Sequence, residues 1–172
     1  MTTENLNNLI AYLLSERPEW NDLAIPTDEL EQFRLYRSLV NIRPAGKASA
    51  EYLKAEDEFL QKMTAQKGIT DIAGLQPVEK NIYLWKGDIT MLQCGAIVNA
   101  ANSGMTGCYH PCHNCIDNCI HTFAGVRLRL KCAEIIKHRD MKNRQVQRKS
   151  RLHTICHVNM LSTQSTQSYR AN

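Results

Sequence analysis

The amino-acid sequence predicts an α/β fold preceded by a helical N-terminal segment. Two observations support this class: apolar residues recur at helical spacing up to residue 76, and short β-rich runs alternate with helical patterns after Pro77. The 172 residues contain 43% apolar and 22% charged side chains, an ordinary globular composition. No stretch approaches the roughly 20 apolar residues of a membrane-spanning helix, and the N-terminus lacks the basic region of a signal peptide. We therefore expect a soluble cytoplasmic protein without membrane contacts.

Residues 1–76 are predicted to form three helices, each with one apolar face. The three apolar stripes are Leu6, Leu9, Ile10, Leu13 and Leu14; Leu30, Phe33, Tyr36, Leu39 and Val40; and Tyr52, Leu53, Phe59, Leu60 and Met63. Pro18 follows the first helix, Pro26 opens the second and Pro44 follows its end, because proline disfavours helix in the residue before it. The segment carries no catalytic motif, so we expect it to pack on the main domain as an extension.

Charge, cysteine and histidine are distributed unevenly along the chain. Residues 1–60 carry 6 basic and 11 acidic side chains, whereas residues 119–172 carry 11 basic and 2 acidic ones. All 7 cysteines and all 6 histidines lie at or after Cys94, and five of the cysteines fall between Cys94 and Cys119. In a chain without an export signal, clustered cysteines with interleaved histidines indicate a metal site or catalysis before disulfides.

A strand–loop–helix order follows Pro77. Residues 81–85 are β-rich, and residues 95–100 form a run that is apolar apart from Asn99 and does not alternate, which is typical of a strand buried on both faces of a sheet. A polar loop covers residues 102–114, and two helices are predicted over residues 116–123 and from Leu128 to about Arg139. The loop is therefore expected at the carboxyl end of a strand, where open α/β sheets bind ligands.

Three segments carry a resemblance to a known family. Residues 87–90 (GDIT), 96–103 (AIVNAANS) and 116–121 (IDNCIH), in this order, resemble the opening half of a macrodomain, the ADP-ribose-binding module. Where most macrodomains have a glycine-rich loop, residues 107–115 read GCYHPCHNC, which is similar to the zinc-containing bacterial macrodomains with a helical N-terminal extension. The resemblance implies a three-layer α/β/α fold with a mixed sheet, incomplete here. It also implies hydrolysis of ADP-ribose from ADP-ribosylated protein side chains.

The loop offers a candidate zinc site. Zinc takes thiolate and imidazole ligands, and a catalytic site typically has three protein ligands and one open position. Cys108, His113 and Cys115 form C-x4-H-x-C, and the resemblance favours this trio as the Zn²⁺ ligands. Cys112 and His110 compete with it, because Cys112-x2-Cys115 is also zinc-like spacing. A fourth ligand would close the site and make the zinc structural.

Asp117 and Asn102 are the candidate catalytic residues. Asp117 matches the acidic residue to which hydrolytic macrodomains without zinc assign catalysis, and it would orient the ribose or act as general base. The alternative is an aspartate favoured by the helix dipole in the first turn of a helix. The Asn102 amide offers a donor and an acceptor to the distal ribose.

The resemblance also implies a set of nucleotide contacts. The expected ADP-ribose-binding residues are Asp88, Ile89, Asn102, Cys115, Ile116, Asp117 and Asn118. The Asp88 carboxylate would accept from the adenine amine with Ile89 beside the ring, unless Asp88 only serves a turn after Gly87. The free N–H groups of residues 116–118 suit the pyrophosphate. Local structural roles are expected for Asn99, His121, Cys94 and Cys132.

The resemblance ends at about residue 141. We therefore expect three segments along the chain: the helical extension 1–76, the N-terminal half of a macrodomain 77–141 and a basic polar tail 142–172. The tail contains six basic side chains, no acidic one and no glycine. We infer a shift of reading frame near residue 142 that leaves a truncated product. Two other functions remain open: an ADP-ribose reader without hydrolysis, and a zinc-knuckle nucleic-acid binder with a basic tail. Nucleic acid is disfavoured because the basic stretch has one aromatic residue, Tyr169.

Overall fold

The structure is a computed structural model that describes residues 3–20 and 22–143. Five α-helices and four short strands occur in these residues, which is compatible with the predicted α/β class. They are α1 Thr3–Ser15, α2 Glu29–Ile42, α3 Ala50–Lys67, β1 Thr70–Asp71, β2 Pro77–Glu79, β3 Ile82–Tyr83, β4 Leu92–Gln93, α4 Ile116–Phe123 and α5 Gly125–Asn143. The predicted basic tail lies outside the described residues, apart from positions 142 and 143 at the end of α5. Within the described ranges, no helix is both long and apolar enough to cross a membrane.

Helices α1, α2 and α3 confirm the three predicted N-terminal helices, and side chains define their ends. Asp28 caps α2 by accepting from Glu31 N at 3.0 Å, and the Ser49 hydroxyl caps α3 by accepting from Tyr52 N at 3.1 Å. Arg43 ends α2 in an extended conformation, as expected for a residue before proline. The three apolar faces close on one core.

Burial in that core follows the predicted stripes with one exception. Leu6, Ile10 and Tyr36 are at most 1% exposed, and a fully buried aliphatic side chain contributes about 1.5–3 kcal/mol. Leu30 was expected in the stripe of α2 but is 58% exposed. Gln32 takes the inward position in this turn, because its amide donates to the Pro26 carbonyl at 2.7 Å.

A buried carboxylate joins the N-terminal helices to α5. Glu56 of α3 is 0% exposed and accepts from Tyr36 OH, Tyr52 OH and Val126 N at 2.8, 2.9 and 2.8 Å. Burial raises the pKa of Glu56. Gly125 has φ +71°, and a Cβ there would lie 2.8 Å from the Glu56 carboxylate. The start of α5 is therefore built against the helical extension.

The strands are shorter than predicted. β1 pairs in parallel with β4, Thr70 opposite Leu92, and β2 pairs antiparallel with β3. The β-rich run 81–85 becomes a strand only at Ile82–Tyr83. The four strands form two separate two-stranded sheets, and the three-layer α/β/α arrangement is not confirmed.

The strand predicted over residues 95–100 is wrong. This segment has no strand structure, and no other strand in the described residues pairs with it. Ile97 and Asn99 are 6% and 9% exposed, whereas Val98 between them is 70% exposed. An apolar run suits a strand only where both faces are covered, and here just one side of the segment is buried.

Candidate metal centre

The Cys/His loop, residues 107–115, is fixed at both ends. Gly107 has φ +89°, and a Cβ at this position would lie 2.8 Å from Cγ of the His121 ring, so glycine is required there. At the other end, Cys115 is the N-cap of α4, and its Sγ accepts from Asn118 N at 3.4 Å. A thiol replaces the usual oxygen acceptor at this helix start. The loop is held between a tight glycine turn and a helix cap.

The loop brings the three predicted ligands together. The donor atoms of Cys108, His113 and Cys115 all lie within 4.8 Å of one another. The Cys108 Sγ to His113 Nδ1 distance is 3.6 Å. Zn–S and Zn–N bonds of about 2.3 and 2.05 Å in a tetrahedron would separate a sulfur and a nitrogen by about 3.5 Å. The spacing of Cys108 and His113 is thus close to that of two zinc ligands, and the group of two thiols and one imidazole could hold a metal ion.

The competing ligands Cys112 and His110 lie outside the trio. Cys112 Sγ lies 3.2 Å from Ser38 Oγ and 3.4 Å from the Arg34 carbonyl oxygen, so this thiol faces α2. The His110 ring meets the His113 ring edge-on, with 5.3 Å between centroids. Among the side chains that the structure describes, neither joins the trio, and no other histidine, cysteine or carboxylate does. The described part of the chain thus supplies three donors.

The two thiols of the trio interact electrostatically. Partial burial raises the pKa of Cys115, and the adjacent Cys108 thiol and the Asp117 carboxylate raise it further. Carrying two thiolates side by side is therefore unfavourable unless a cation compensates their charge. Such a site binds metal with release of protons, and its affinity depends on pH.

Asp117 is buried beside the trio, where it is bonded to Asn99 and lies near His121. It is 4% exposed, and its Oδ1 accepts from Asn99 Nδ2 at 2.7 Å and lies 3.6 Å from His121 Nε2. Burial, with the Arg129 guanidinium nearby, lowers the pKa of His121 to about 3 despite this carboxylate. The imidazole is therefore neutral near pH 7. Asn99, expected to bond locally, instead bonds Asp117 eighteen residues later.

The residues predicted for the distal ribose and the adenine have local partners. Asn102 donates from Nδ2 to the Gly107 carbonyl at 3.1 Å, and its Oδ1 accepts from two N–H groups of residues 104 and 105. Asp88 is exposed, and its Oδ1 accepts from Thr90 N and Thr90 Oγ1 at 2.9 and 2.7 Å. Both residues thus serve their own turns. Ile89 is half-buried against the apolar cluster around Ile120.

The start of α4 divides into exposed and buried positions. Ile116 is 40% exposed, whereas Asn118 is fully buried. The Asn118 N–H, expected to be free for phosphate, donates to Cys115 Sγ. Its side chain donates from Nδ2 to the His110 carbonyl at 2.9 Å, so Asn118 braces the loop. Cys132 is 3% exposed and Cys94 half-buried, and Cys94 Sγ donates to the Ala96 carbonyl at 3.3 Å.

Sequence reasoning missed the residues that support the loop from outside. Arg129 of α5 is 4% exposed, donates from Nη1 to the Val40 and Asn41 carbonyls at 2.7 and 2.9 Å, and lies over the Tyr109 ring at 4.6 Å. It also donates to the Arg43 carbonyl. The Arg129 guanidinium thereby caps the carboxyl end of α2 and packs on Tyr109 of the loop. No local sequence pattern signals a contact between two residues that are separated by 86 to 89 positions in the chain.

Comparison with known proteins finds relatives named protein-ADP-ribose hydrolase. The chain is 56% identical over 133 residues to a protein-ADP-ribose hydrolase of Treponema medium, covering 75% of this chain and 51% of that protein. It is 47% identical over 133 residues to a protein-ADP-ribose hydrolase of Staphylococcus aureus strain MRSA252, covering 74% of this chain and 50% of that protein.

A more distant relative comes from Fusarium oxysporum f. sp. cubense. It is a probable bifunctional ADP-ribose hydrolase/ADP-ribosyltransferase, 39% identical over 116 residues, which is 61% of this chain and 19% of that protein. No family model matches the chain. The chain spans about half the length of the curated relatives in the two bacteria.

Proposed function

We propose that the chain acts as a zinc-dependent hydrolase that removes ADP-ribose from ADP-ribosylated protein side chains. The observation that carries the proposal is the Cys108–His113–Cys115 donor set. It lies in a chain that is 47–56% identical to proteins named protein-ADP-ribose hydrolase. The partners would then be an ADP-ribosylated protein as substrate and ADP-ribose as product.

The three ligands would hold the ion at the start of α4. Three protein donors leave one coordination position of a tetrahedral ion open, as in catalytic rather than structural sites. When bound, zinc would supply Lewis acidity toward a ribose hydroxyl or a water molecule. Because the described residues contribute no fourth donor, the donor count supports the catalytic kind of site.

Asp117 would act next to the ion. It follows Cys115 by two residues, and the bond from Asn99 Nδ2 fixes its carboxylate orientation through Oδ1. The Oδ2 atom would orient the distal ribose or accept a proton from the water that attacks the anomeric carbon. Asn102 would contact the same ribose with the Nδ2 hydrogen that the Gly107 carbonyl does not use.

Recognition of the nucleotide would use the residues around this centre. Asp88 would accept from the adenine amine with Oδ2, since Oδ1 serves Thr90, and Ile89 would lie against the ring. The pyrophosphate would bind the N–H groups of Ile116 and Asp117 at the start of α4. Cys115 and Asn118 would shape this turn through the Asn118 N–H to Sγ bond.

The decisive experiment incubates the purified chain with an ADP-ribosylated protein and measures free ADP-ribose and bound zinc. We expect about one zinc per chain, release of ADP-ribose, and loss of release after chelation with recovery on adding zinc. Retention of the labelled protein without release would indicate a reader. If a chelated chain that is free of metal still released ADP-ribose at the original rate, zinc dependence would be overturned. No observation favours the nucleic-acid alternative.

A further inference from the structure

One guanidinium of α2 reaches into the Cys/His loop. Arg37 Nη2 donates to the His113 carbonyl at 2.8 Å and to Asn118 Oδ1 at 3.0 Å, and it lies 3.7 Å from Cys119 Sγ. The first acceptor belongs to a candidate ligand. The second belongs to the residue whose N–H binds the ligand sulfur of Cys115. The Arg37 side chain thus bonds to the backbone of the candidate ligand His113 and to Asn118, which in turn bonds to the candidate ligand Cys115.

Asn118 passes this constraint on to the rest of the loop. Its Oδ1 is held by Arg37, its Nδ2 donates to the His110 carbonyl at 2.9 Å, and its N–H donates to Cys115 Sγ at 3.4 Å. These bonds link the middle of the loop to its end. Displacing the Asn118 side chain would therefore release both positions.

The neighbouring residues of α2 hold the far side of the loop. The Cys112 N–H donates to Asn41 Oδ1 at 2.9 Å, and Cys112 Sγ lies 3.2 Å from Ser38 Oγ. Cys112 has φ +51°, which an L-residue rarely adopts without external restraint. The helix thus fixes a backbone shape that the loop sequence alone does not favour.

Stabilisation of the fold does not fully explain the placement of Arg37. Its Nε is buried and has no hydrogen-bond partner in the described part of the chain. A buried, unsatisfied donor is unfavourable, and Arg37 forms no ion pair among the described residues. The hydrogen bonds from Arg37 Nη2 to the loop and to Asn118 are the favourable interactions that offset this unfavourable burial.

We propose that Arg37 is a positioning residue that holds the Cys/His loop in its metal-ligating shape before the ion binds. The inference rests on the proposed zinc site. Ordering a loop opposes binding, so a loop that is already ordered binds more tightly. Groups that orient metal ligands from outside the coordination sphere typically change affinity by about 10- to 100-fold.

The test compares Arg37→Met with a matched control, Arg34→Met. Arg34 lies one turn earlier on α2, pairs with Glu31 at 2.6 Å, and is 61% exposed. Among the described residues its side chain donates to Glu31, and its contribution to the loop is the backbone carbonyl that accepts from Cys112 Sγ. Zinc affinity is measured by competition with a chromophoric chelator, and Co²⁺ replaces zinc as a spectroscopic probe of thiolate ligation. The unfolding midpoint of the chelated chain is measured in parallel.

We expect Arg37→Met to weaken zinc binding by about 10- to 100-fold and to alter the Co²⁺ spectrum, while Arg34→Met leaves both unchanged. The midpoints of the two chelated variants should remain close. Equal zinc affinity in Arg37→Met and Arg34→Met would overturn the inference while leaving the zinc site intact. A wild-type chain that binds no zinc would instead overturn the proposed function and this inference with it.

A second variant keeps the inference testable if Arg37→Met does not fold. Arg37→Lys retains the charge, but the lysine side chain is one bond shorter, so its ammonium nitrogen does not reach the position from which Nη2 donates to the His113 carbonyl and Asn118 Oδ1. We expect zinc binding that is weaker than in the wild type, with a changed Co²⁺ spectrum. Wild-type affinity in Arg37→Lys would show that the charge suffices and would contradict positioning by the guanidinium.

Discussion

The Cys/His loop and the strand region, residues 77–98, differ sharply in how the chain supports them. Hydrogen bonds with α2 hold the loop and the start of α4. Arg37 donates two of them and Asn41 accepts another, and the partners are separated by 71 to 81 positions in the chain. In the strand region Val78, Leu84 and Val98 are 60%, 81% and 70% exposed. The Cys/His loop is thus held by side chains of α2, and no such support comes from either two-stranded sheet in the described residues.

This contrast changes the role assigned to the extension. From the sequence it was a helical layer without a motif, whereas in the structure α2 contributes Arg37, Ser38 and Asn41 to the loop. Two-stranded sheets alone are marginally stable, so β1–β4 and β2–β3 give the loop little rigid support. Variants in the loop and its supports should therefore have larger effects than variants in the strand region.

The largest expected effect comes from removing a ligand. Cys108→Ser should abolish stoichiometric zinc binding and, with it, ADP-ribose release, because a hydroxyl is a poor replacement for a thiolate ligand. Metal content and release of labelled ADP-ribose check this together. Cys94→Ser is the control, because Cys94 lies outside the loop and its thiol only donates to the Ala96 carbonyl. Full zinc content in Cys108→Ser would exclude this residue as a ligand.

Next in size is Asp117→Asn. The amide keeps an oxygen for Asn99 Nδ2 but cannot accept a proton, so turnover should fall by about 10²- to 10⁴-fold. Zinc content should stay near one per chain. Asp71→Asn is the matched control, because Asp71 caps an exposed turn. Undiminished turnover in Asp117→Asn would exclude a catalytic role for Asp117 and favour the alternative, an aspartate stabilised by the helix dipole in the first turn of α4.

Gly107→Ala should destabilise the fold by about 1–3 kcal/mol, because φ +89° disfavours any Cβ and the added methyl meets the His121 ring at 2.8 Å. Urea unfolding of the chelated chain measures this. Gly46→Ala serves as control, since nothing lies within 4 Å of a Cβ there. Equal midpoints for the two variants would mean that the turn at Gly107 relaxes without cost.

The smallest effect is a dependence of stability on pH. His121 has a pKa of about 3 in the folded chain against 6.5 when unfolded, so between these values only the unfolded chain takes up the proton. Its contribution is therefore complete above pH 6.5 and is lost as pH falls toward 3. From pH 6.5 to 5.5 the free energy of unfolding should fall by about 1 kcal/mol.

His121→Gln should flatten that dependence when chelated chains are unfolded in urea at several pH values. His138→Gln is the control, because the His138 side chain is 62% exposed. The charged groups that face His121 are Asp117 on its own helix and Arg129 on α5. The same slope in His121→Gln as in the wild type would contradict a buried neutral imidazole.

Local signals predicted much of this molecule. Apolar periodicity and proline positions located α1, α2 and α3. The clustering of cysteine and histidine indicated a metal site in one nine-residue loop, and the resemblance to zinc-containing macrodomains favoured Cys108, His113 and Cys115 within it. Both depend on residues that are close in the chain.

The remainder depends on contacts that no local pattern contains. The bonds from Arg37 and Arg129 span 76–89 positions, and nothing in the composition of α2 marks Arg37 as different from Arg34. The error at residues 95–100 has the same origin. Apolar composition indicates a buried strand only if other strands cover it, and that is decided by residues elsewhere.

X-ray absorption at the zinc edge of the purified, folded chain tests the central claim most directly. The account predicts about one zinc per chain with two sulfur ligands at about 2.3 Å, one imidazole nitrogen at about 2.0 Å and a remaining light-atom ligand from solvent. A folded chain without metal, or a coordination sphere with three or four sulfur ligands, would contradict it.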